Sequence, residues 1–151
     1  MYRHAALELR GRRFAWGSRT YVMGIINVTP DSFSGDGTGG DVAKAVERAR
    51  WLETNGADLL DIGAESSRPG SAPLTADEEL GRLLPSLKAV RAVTQLPISV
   101  DTYHAAVADA ALCAGADAIN DIFGLRSDTE LAAVVARHGA LLIGMHNQRG
   151  G

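Results

Sequence analysis

The sequence predicts the wall of a parallel α/β barrel behind a small hairpin, on three observations. Apolar strand-like runs alternate strictly with helical patterns from Tyr21 to Met145, and the turns from each helix into the next strand are short. Such alternation builds parallel strands joined by right-handed crossovers. The first run, Tyr21 to Val28, is interrupted only by Gly24 and Asn27, as expected for a strand covered on both faces. Polar groups then stand at or near the C-terminal ends of five strands: Asn27, Asp61, Asp101, Asn120 and His146. A (β/α)8 barrel gathers functional groups from several strands on that face, which favours it over an open doubly wound sheet.

Taken in order, Leu7 and Leu9 alternate with Glu8, and Phe14 and Trp16 flank Ala15, so a hairpin turning near Gly11 is predicted. That reading is preferred to an arginine-rich transit peptide, despite Arg3, Arg10, Arg12, Arg13 and Arg19. Pro30 stops the first strand, and 31–40 reads as a polar, glycine-rich loop with Phe33 as its one large apolar side chain. A helix from about Asp41 to Asn55 follows, with Val42, Ala45, Val46, Ala49 and Leu52 on one face, Asp41 as cap and Gly56 as terminator. A second strand, 58–63, leads into a polar loop, 64–73. Thr75 to Glu78 has capping-box form and opens a second helix. Pro85 is expected to kink that helix and leave the Gly81 carbonyl unpaired. Ile98 to Asp101 is a third strand, Ala105 to Ala114 a third helix and Ala118 to Asp121 a fourth strand. Ser127 to Glu130 reads as a second capping box, ahead of a helix carrying Leu131, Val134 and Val135. Leu141 to Met145 is a fifth strand. Gly56-Ala57-Asp58, Gly115-Ala116-Asp117 and Gly139-Ala140-Leu141 form a weak repeat, each ending a helix and starting a strand.

The 151 residues are 46% hydrophobic and 22% charged, ordinary for one soluble globular domain over 1–151. A net charge of −3 makes no case for nucleic acid or an anionic membrane, and no run suits a membrane span. The lone Cys113 cannot close an internal disulfide, so a reducing, cytoplasmic compartment is expected. The four histidines are scattered, which argues against a zinc cluster. Five strands and four helices fall short of the eight of each, in about 250 residues, that a complete barrel needs. The chain is therefore expected to be the N-terminal part of a longer barrel.

Gly35 to Gly40 fits G-x-G-x-x-G, but Thr29 to Ser34 separate it from the strand, so a lid over a ligand is favoured over a dinucleotide turn. Asp101 or Thr102 could be no more than the cap of the next helix, and Asn120 and Asp121 no more than turn formers ahead of Gly124.

Four stretches carry a family resemblance. Gly24-Ile25-Ile26-Asn27-Val28-Thr29-Pro30-Asp31-Ser32-Phe33-Ser34, followed by Asp36-Gly37, resembles the opening signature of the dihydropteroate synthases. Gly63-Ala64-Glu65-Ser66-Ser67-Arg68-Pro69-Gly70 resembles the second, with Ala64 for a glycine and Ser67 for a threonine. Ser99-Val100-Asp101-Thr102 and Ile119-Asn120-Asp121 resemble the third and fourth, and Met145-His146 more loosely a later one. The resemblance implies a pterin-binding barrel. It also implies condensation of a 6-hydroxymethyl-7,8-dihydropterin diphosphate with p-aminobenzoate to 7,8-dihydropteroate and diphosphate. It implies that Asp101, Asn120 and Met145 hold the pterin, with Asp121 in support, and that Asp101, Asn120 and Arg68 carry the catalysis. Asn27, Ser67 and Arg68 would face the diphosphate, Asn27 with Mg2+. Phe33, Ser66 and Pro69 would wall the p-aminobenzoate pocket. A second aspartate, a lysine and an arginine–histidine pair would come from later strands, so this chain alone is expected to show little turnover. A homodimer is implied for the full-length protein. A pterin-dependent corrinoid methyltransferase should lack the first two loops, and a non-catalytic half-barrel should associate without binding ligand.

Overall fold

The computed structural model describes residues 5–29, 41–65 and 73–146. Two short strands, β1 (Leu7–Leu9) and β2 (Arg12–Phe14), form an antiparallel hairpin. Its turn is Arg10-Gly11, both at positive φ, the conformation a two-residue hairpin loop requires. Five parallel strands follow: β3 (Met23–Asn27), β4 (Leu59–Gly63), β5 (Ile98–Asp101), β6 (Ala118–Asp121) and β7 (Leu141–Gly144). The connecting helices are α1 (Val42–Thr54), α2 (Ala76–Arg91), α3 (Ala105–Cys113) and α4 (Leu131–Arg137).

The strands pair strictly in sequence order, β3-β4-β5-β6-β7, with no reversal. Consecutive helices pack on one another, α1 on α2, α2 on α3 and α3 on α4. Sequential strands with the helices side by side are the wall of a (β/α)8 barrel rather than a doubly wound sheet. The helix-facing side of the sheet carries Ile26, Leu60, Ile62, Ile98, Val100 and Ile119, all inaccessible to solvent. These pack with Ala45, Ala49, Leu83, Leu87, Val90, Val107 and Ala108 into the core.

The opposite, inner face corrects one expectation. Met23 and Ile25 are 36% and 51% exposed, so β3 is covered on one side only by the described residues. The apolar run is right for a barrel strand, whose inner side chains are covered by the strands across the barrel.

The Gly-Ala-Asp repeat has a shared structural role at the N-terminal end of the sheet. Asp58 accepts from the Val22 N–H at 2.8 Å and pairs with Arg19. Asp117 accepts from the Ile98 N–H at 2.9 Å and pairs with Arg91 and Arg10. Each carboxylate thus ties the start of its own strand to the start of the strand before it. Gly56 and Gly115 precede these turns at φ +93 and +104.

Helix ends are mostly as predicted. Asp41 caps α1, and Thr75 and Glu78 close a capping box on α2. The last helix differs, because the box expected from Ser127 to Glu130 does not form and Glu130 makes no side-chain cap bond. Asp128 instead accepts from the Ala105 N–H at 2.8 Å, capping α3 from a distance, and from the Glu130 N–H at 3.0 Å. These bonds hold its carboxyl below the usual range. A long-range partner outcompetes the local box because α3 has no side-chain cap of its own. α2 runs through Pro85 as one helix, and β7 ends at Gly144, leaving Met145 beyond it.

Asp128→Ala is expected to cost about 1 kcal/mol, as a lost helix cap, read as a lower urea midpoint at unchanged slope. Glu130→Ala should stay within about 0.5 kcal/mol.

Candidate functional site at the strand ends

Hydrogen-bonded register places side chains before any loop does. In parallel pairing, residues level across the sheet point to the same face. Asn27 is level with Gly63, Gly63 with Asp101, Asp101 with Asn120 and Asn120 with Ile143. This row forms the top layer of the inner face, at the C-terminal ends of the strands. One layer below lie Ile25, Asp61, Ser99, Ala118 and Leu141.

Between the two layers runs a buried polar chain. The Ser99 hydroxyl donates to Asp61 Oδ1, and Asn120 Nδ2 donates to Asp61 Oδ2 at 3.2 Å. Asp61 is 4% exposed and Ser99 fully buried. Burial pushes the Asp61 carboxyl up, and the Ser99 and Asn120 bonds partly offset this. Since one amide N–H of Asn120 goes to Asp61, the amide plane is set and its oxygen is left to accept from a ligand. Asp61 therefore fixes the orientation of the Asn120 amide.

Asp101 is the most perturbed carboxyl of the mouth, pushed up to about 7. Burial is the main cause, followed by the nearby carboxylates of Asp61, Glu79, Glu65 and Asp121. Gly63 leaves room for it, since a Cβ there would stand 3.3 Å from Asp101 Cβ.

A second set of contacts ties the loops around this row. The Tyr103 hydroxyl donates to the Glu65 carboxylate at 3.2 Å, and its ring meets Phe123 edge-on at 5.0 Å. Burial, then Glu65, pushes the Tyr103 phenol up to about 12. Glu65 also accepts from the Leu74 N–H at 3.4 Å, just ahead of α2. His104 Nδ1 lies 2.7 Å from Glu79 Oε2, and Glu79 is 1% exposed. Burial raises the Glu79 carboxyl, against the effects of His104 and Thr102. Glu65, Glu79 and His104 lie close enough to share a cation, although each already has a protein partner.

Three of the residues predicted for the site, Asn27, Asp101 and Asn120, thus share one layer. Met145 follows β7, is 45% exposed, and donates its N–H to the Asp121 carbonyl at 3.0 Å. Phe33, Ser66, Ser67, Arg68 and Pro69 lie outside the described residues. Asp121 points to the helix side, where it accepts from the Phe123 N–H at 2.8 Å and from the Leu125 N–H. It holds the turn after β6. Neither Asp101 nor Thr102 caps α3, whose N-cap is His104; the Thr102 hydroxyl accepts from the His104 N–H at 3.2 Å. Sequence reading gave no role to Ser99, Glu65, Glu79 or His104, and noted Asp61 only as a polar group near a strand end. The signal for Asp61 and Ser99 was parity, since each lies two residues before an inner-face position of the top layer.

The mouth can do two things chemically. Asp101 and the Asn120 amide present an acceptor and a mixed donor–acceptor edge side by side, suited to a planar heterocycle with adjacent N–H donors and ring nitrogens. Its crowded carboxylates also make it electronegative, favouring a cation.

Comparison with known proteins places the chain in a family and matches its fold. The profile of the family described as "Pterin binding enzyme" matches residues 23–150. The dihydropteroate synthase of Clostridium beijerinckii is 42% identical over 142 residues, covering 94% of this chain and 53% of that protein. That of Bacillus subtilis is 45% identical over 134 residues, 89% of this chain and 47% of the relative. Among solved structures, Clostridium difficile dihydropteroate synthase, determined in the presence of pteroic acid, superposes with a TM-score of 0.83 at 45% identity, covering 91% of this chain and 52% of its own. The Thermus thermophilus enzyme in complex with 4-aminobenzoate gives 0.77 at 43%, covering 94% and 48%. The chain spans about half the length of the curated relatives it matches.

Because the Asp101 pKa is raised on folding, the folded state holds its proton more tightly than the unfolded chain. Stability should therefore fall as pH rises from the ordinary value near 3.8 to about 7. Asp101→Asn should flatten most of that decline, measured as the urea midpoint against pH.

Proposed function

Since this chain belongs to the pterin-binding enzyme family, we propose that the complete barrel of which it forms the wall is a dihydropteroate synthase. The reaction condenses 6-hydroxymethyl-7,8-dihydropterin diphosphate with p-aminobenzoate, giving 7,8-dihydropteroate and diphosphate. The observation that carries this reading is the pairing of Asp101 and Asn120 in one hydrogen-bonded row, with Asp61 bonded to the Asn120 amide. Relatives at 42% and 45% identity bear the same activity.

In this reading Asp101 accepts from the pterin N–H donors. Its carboxylate stabilises positive charge that develops on the ring as the C–O bond to the diphosphate breaks. Binding is expected to pull the Asp101 pKa down, since N–H donors favour the ionised carboxylate. Asn120, held by Asp61, reads the adjoining edge, and Met145 supplies an apolar contact. The aromatic amine of p-aminobenzoate then attacks the exocyclic carbon. Phe33, Ser66 and Pro69 would wall its pocket, and ordering of the loops would exclude the water that competes for that carbon.

The departing diphosphate brings negative charge to a mouth already crowded with carboxylates. Ser67 and the Arg68 guanidinium would meet it. The Asn27 amide oxygen, a hard donor in the same row as Asp101, fits Mg2+, and the electronegative mouth fits a divalent cation. Mg2+, when bound, would neutralise the leaving group. A homodimer and a cytoplasmic setting are proposed with this activity. No helix among the described residues is long and apolar enough to cross a membrane. A corrinoid methyltransferase is disfavoured by the two signature sequences, 29–34 and 66–70.

Calorimetric titration of the dihydropterin diphosphate with Mg2+ should show binding to the chain. Asp101→Asn and Asn120→Ala should each weaken it by about 1–3 kcal/mol, the cost of leaving a buried polar group unpaired. Unchanged affinity in both variants would refute the assignment. Turnover by the chain alone should stay near background, and robust activity would show that groups from later strands are dispensable.

A further inference from the structure

Away from the strand-end mouth, three metal-ligating side chains converge where α3 packs on α4. Asp109 and Cys113 are four residues apart on α3 and so project from one stripe of that helix. His138 is the C-cap of α4. Donor atoms of the three lie within 4.8 Å of one another. Asp109 Oδ1 is 2.6 Å from His138 Nε2 and 2.9 Å from an Arg137 guanidinium nitrogen. Those two neighbours, His138 first, hold the Asp109 carboxyl below its usual range. The Cys113 thiol is exposed.

We propose that Asp109, Cys113 and His138 form a site for a divalent transition cation of the zinc class, with water completing the coordination. Thiolate, imidazole and carboxylate together suit Zn2+ and its spectroscopic stand-in Co2+, and suit Mg2+ or Ca2+ poorly. A tetrahedral Zn2+ with ligands at about 2.0–2.3 Å places neighbouring donors roughly 3.3–3.8 Å apart. The three donors already lie within 4.8 Å of one another on helices that pack together, so only a small closing movement of the side chains is needed. Arg137, with its side chain 62% exposed, gives up its contact with Asp109 and turns to solvent. The cation takes over the favourable charge there, helped by the carbonyl end of α3 beside Cys113. A cleft of about 250 Å3, lined by Leu9, Leu112, His138 and Gly139 among others, opens next to the imidazole and admits water. On binding, the thiol proton leaves to solvent, and the Nε2 proton that His138 donates to Asp109 shifts to Nδ1 through solvent, which frees the Nε2 lone pair for the metal. The bound ion would clamp α3 to the end of α4 and stabilise the folded state by linkage.

Titrating Co2+ into the whole 151-residue chain tests this by absorption. Cys113 is the sole cysteine, so any thiolate-to-cobalt charge-transfer band reports on it alone. The expected result is a saturable band at one Co2+ per chain, displaced by Zn2+, and a higher Tm with Zn2+. Cys113→Ser and His138→Gln should each lose the band and the Tm shift while keeping the far-UV circular dichroism of the parent. Absence of the band in the parent, its survival in His138→Gln, or saturation at one Co2+ per two chains would overturn the proposal.

Discussion

Parallel register across β3 to β6 is the constraint on which the site depends. Asn27, Asp101 and Asn120 come from segments far apart in the chain, yet backbone pairing makes them neighbours in one row. The register is held by what lies behind it. Ile26, Leu60, Ile62, Ile98, Val100 and Ile119 must face the helices. A slip of one residue in any strand would turn these into the barrel and the polar groups into the core. The hydrophobic effect thus aims the polar residues, although none of them gains from it.

The two ends of the sheet use aspartate in opposite ways. At the N-terminal end, Asp58 and Asp117 each meet a backbone N–H and at least one arginine. Asp58 is correspondingly pushed below its usual range, chiefly by the Arg19 bond. At the C-terminal end, Asp61 is buried and Asp101 half-buried beside other carboxylates, and both are pushed up, chiefly by burial. The first arrangement stabilises the fold, and the second costs stability in the absence of a ligand. A site that disfavours its own ionised carboxylate gains most from a ligand bearing N–H donors or a positive charge. That asymmetry agrees with the general division of barrel proteins into a structural bottom and a chemical top.

Between the row and the solvent, a few side chains link loops that sequence would treat separately. Glu65, after β4, accepts from Leu74 ahead of α2 and from Tyr103 after β5, whose ring meets Phe123 after β6. Gly124 fits against the Met145 carbonyl, where a Cβ would stand at 2.8 Å, and its φ is +61. Contacts of this kind link the ends of four successive strands, β4 to β7.

The sequence by itself determined the elements and their order, because alternating periodicities, glycine terminators and caps at Asp41 and Thr75 are local signals. It also placed Asn27, Asp101 and Asn120 at strand ends, where the signature residues and the hydrophobic runs meet. It misassigned the cap before α4, and it assigned no role to Asp61, Ser99, Glu65, Glu79 or His104. Each of those depends on a partner distant in the chain: Asp128 on Ala105, Asp61 on Ser99 and Asn120, Glu79 on His104. Tertiary structure alone decided them, because a buried carboxylate takes whichever donor packing brings within about 3 Å, and sequence spacing does not encode that distance.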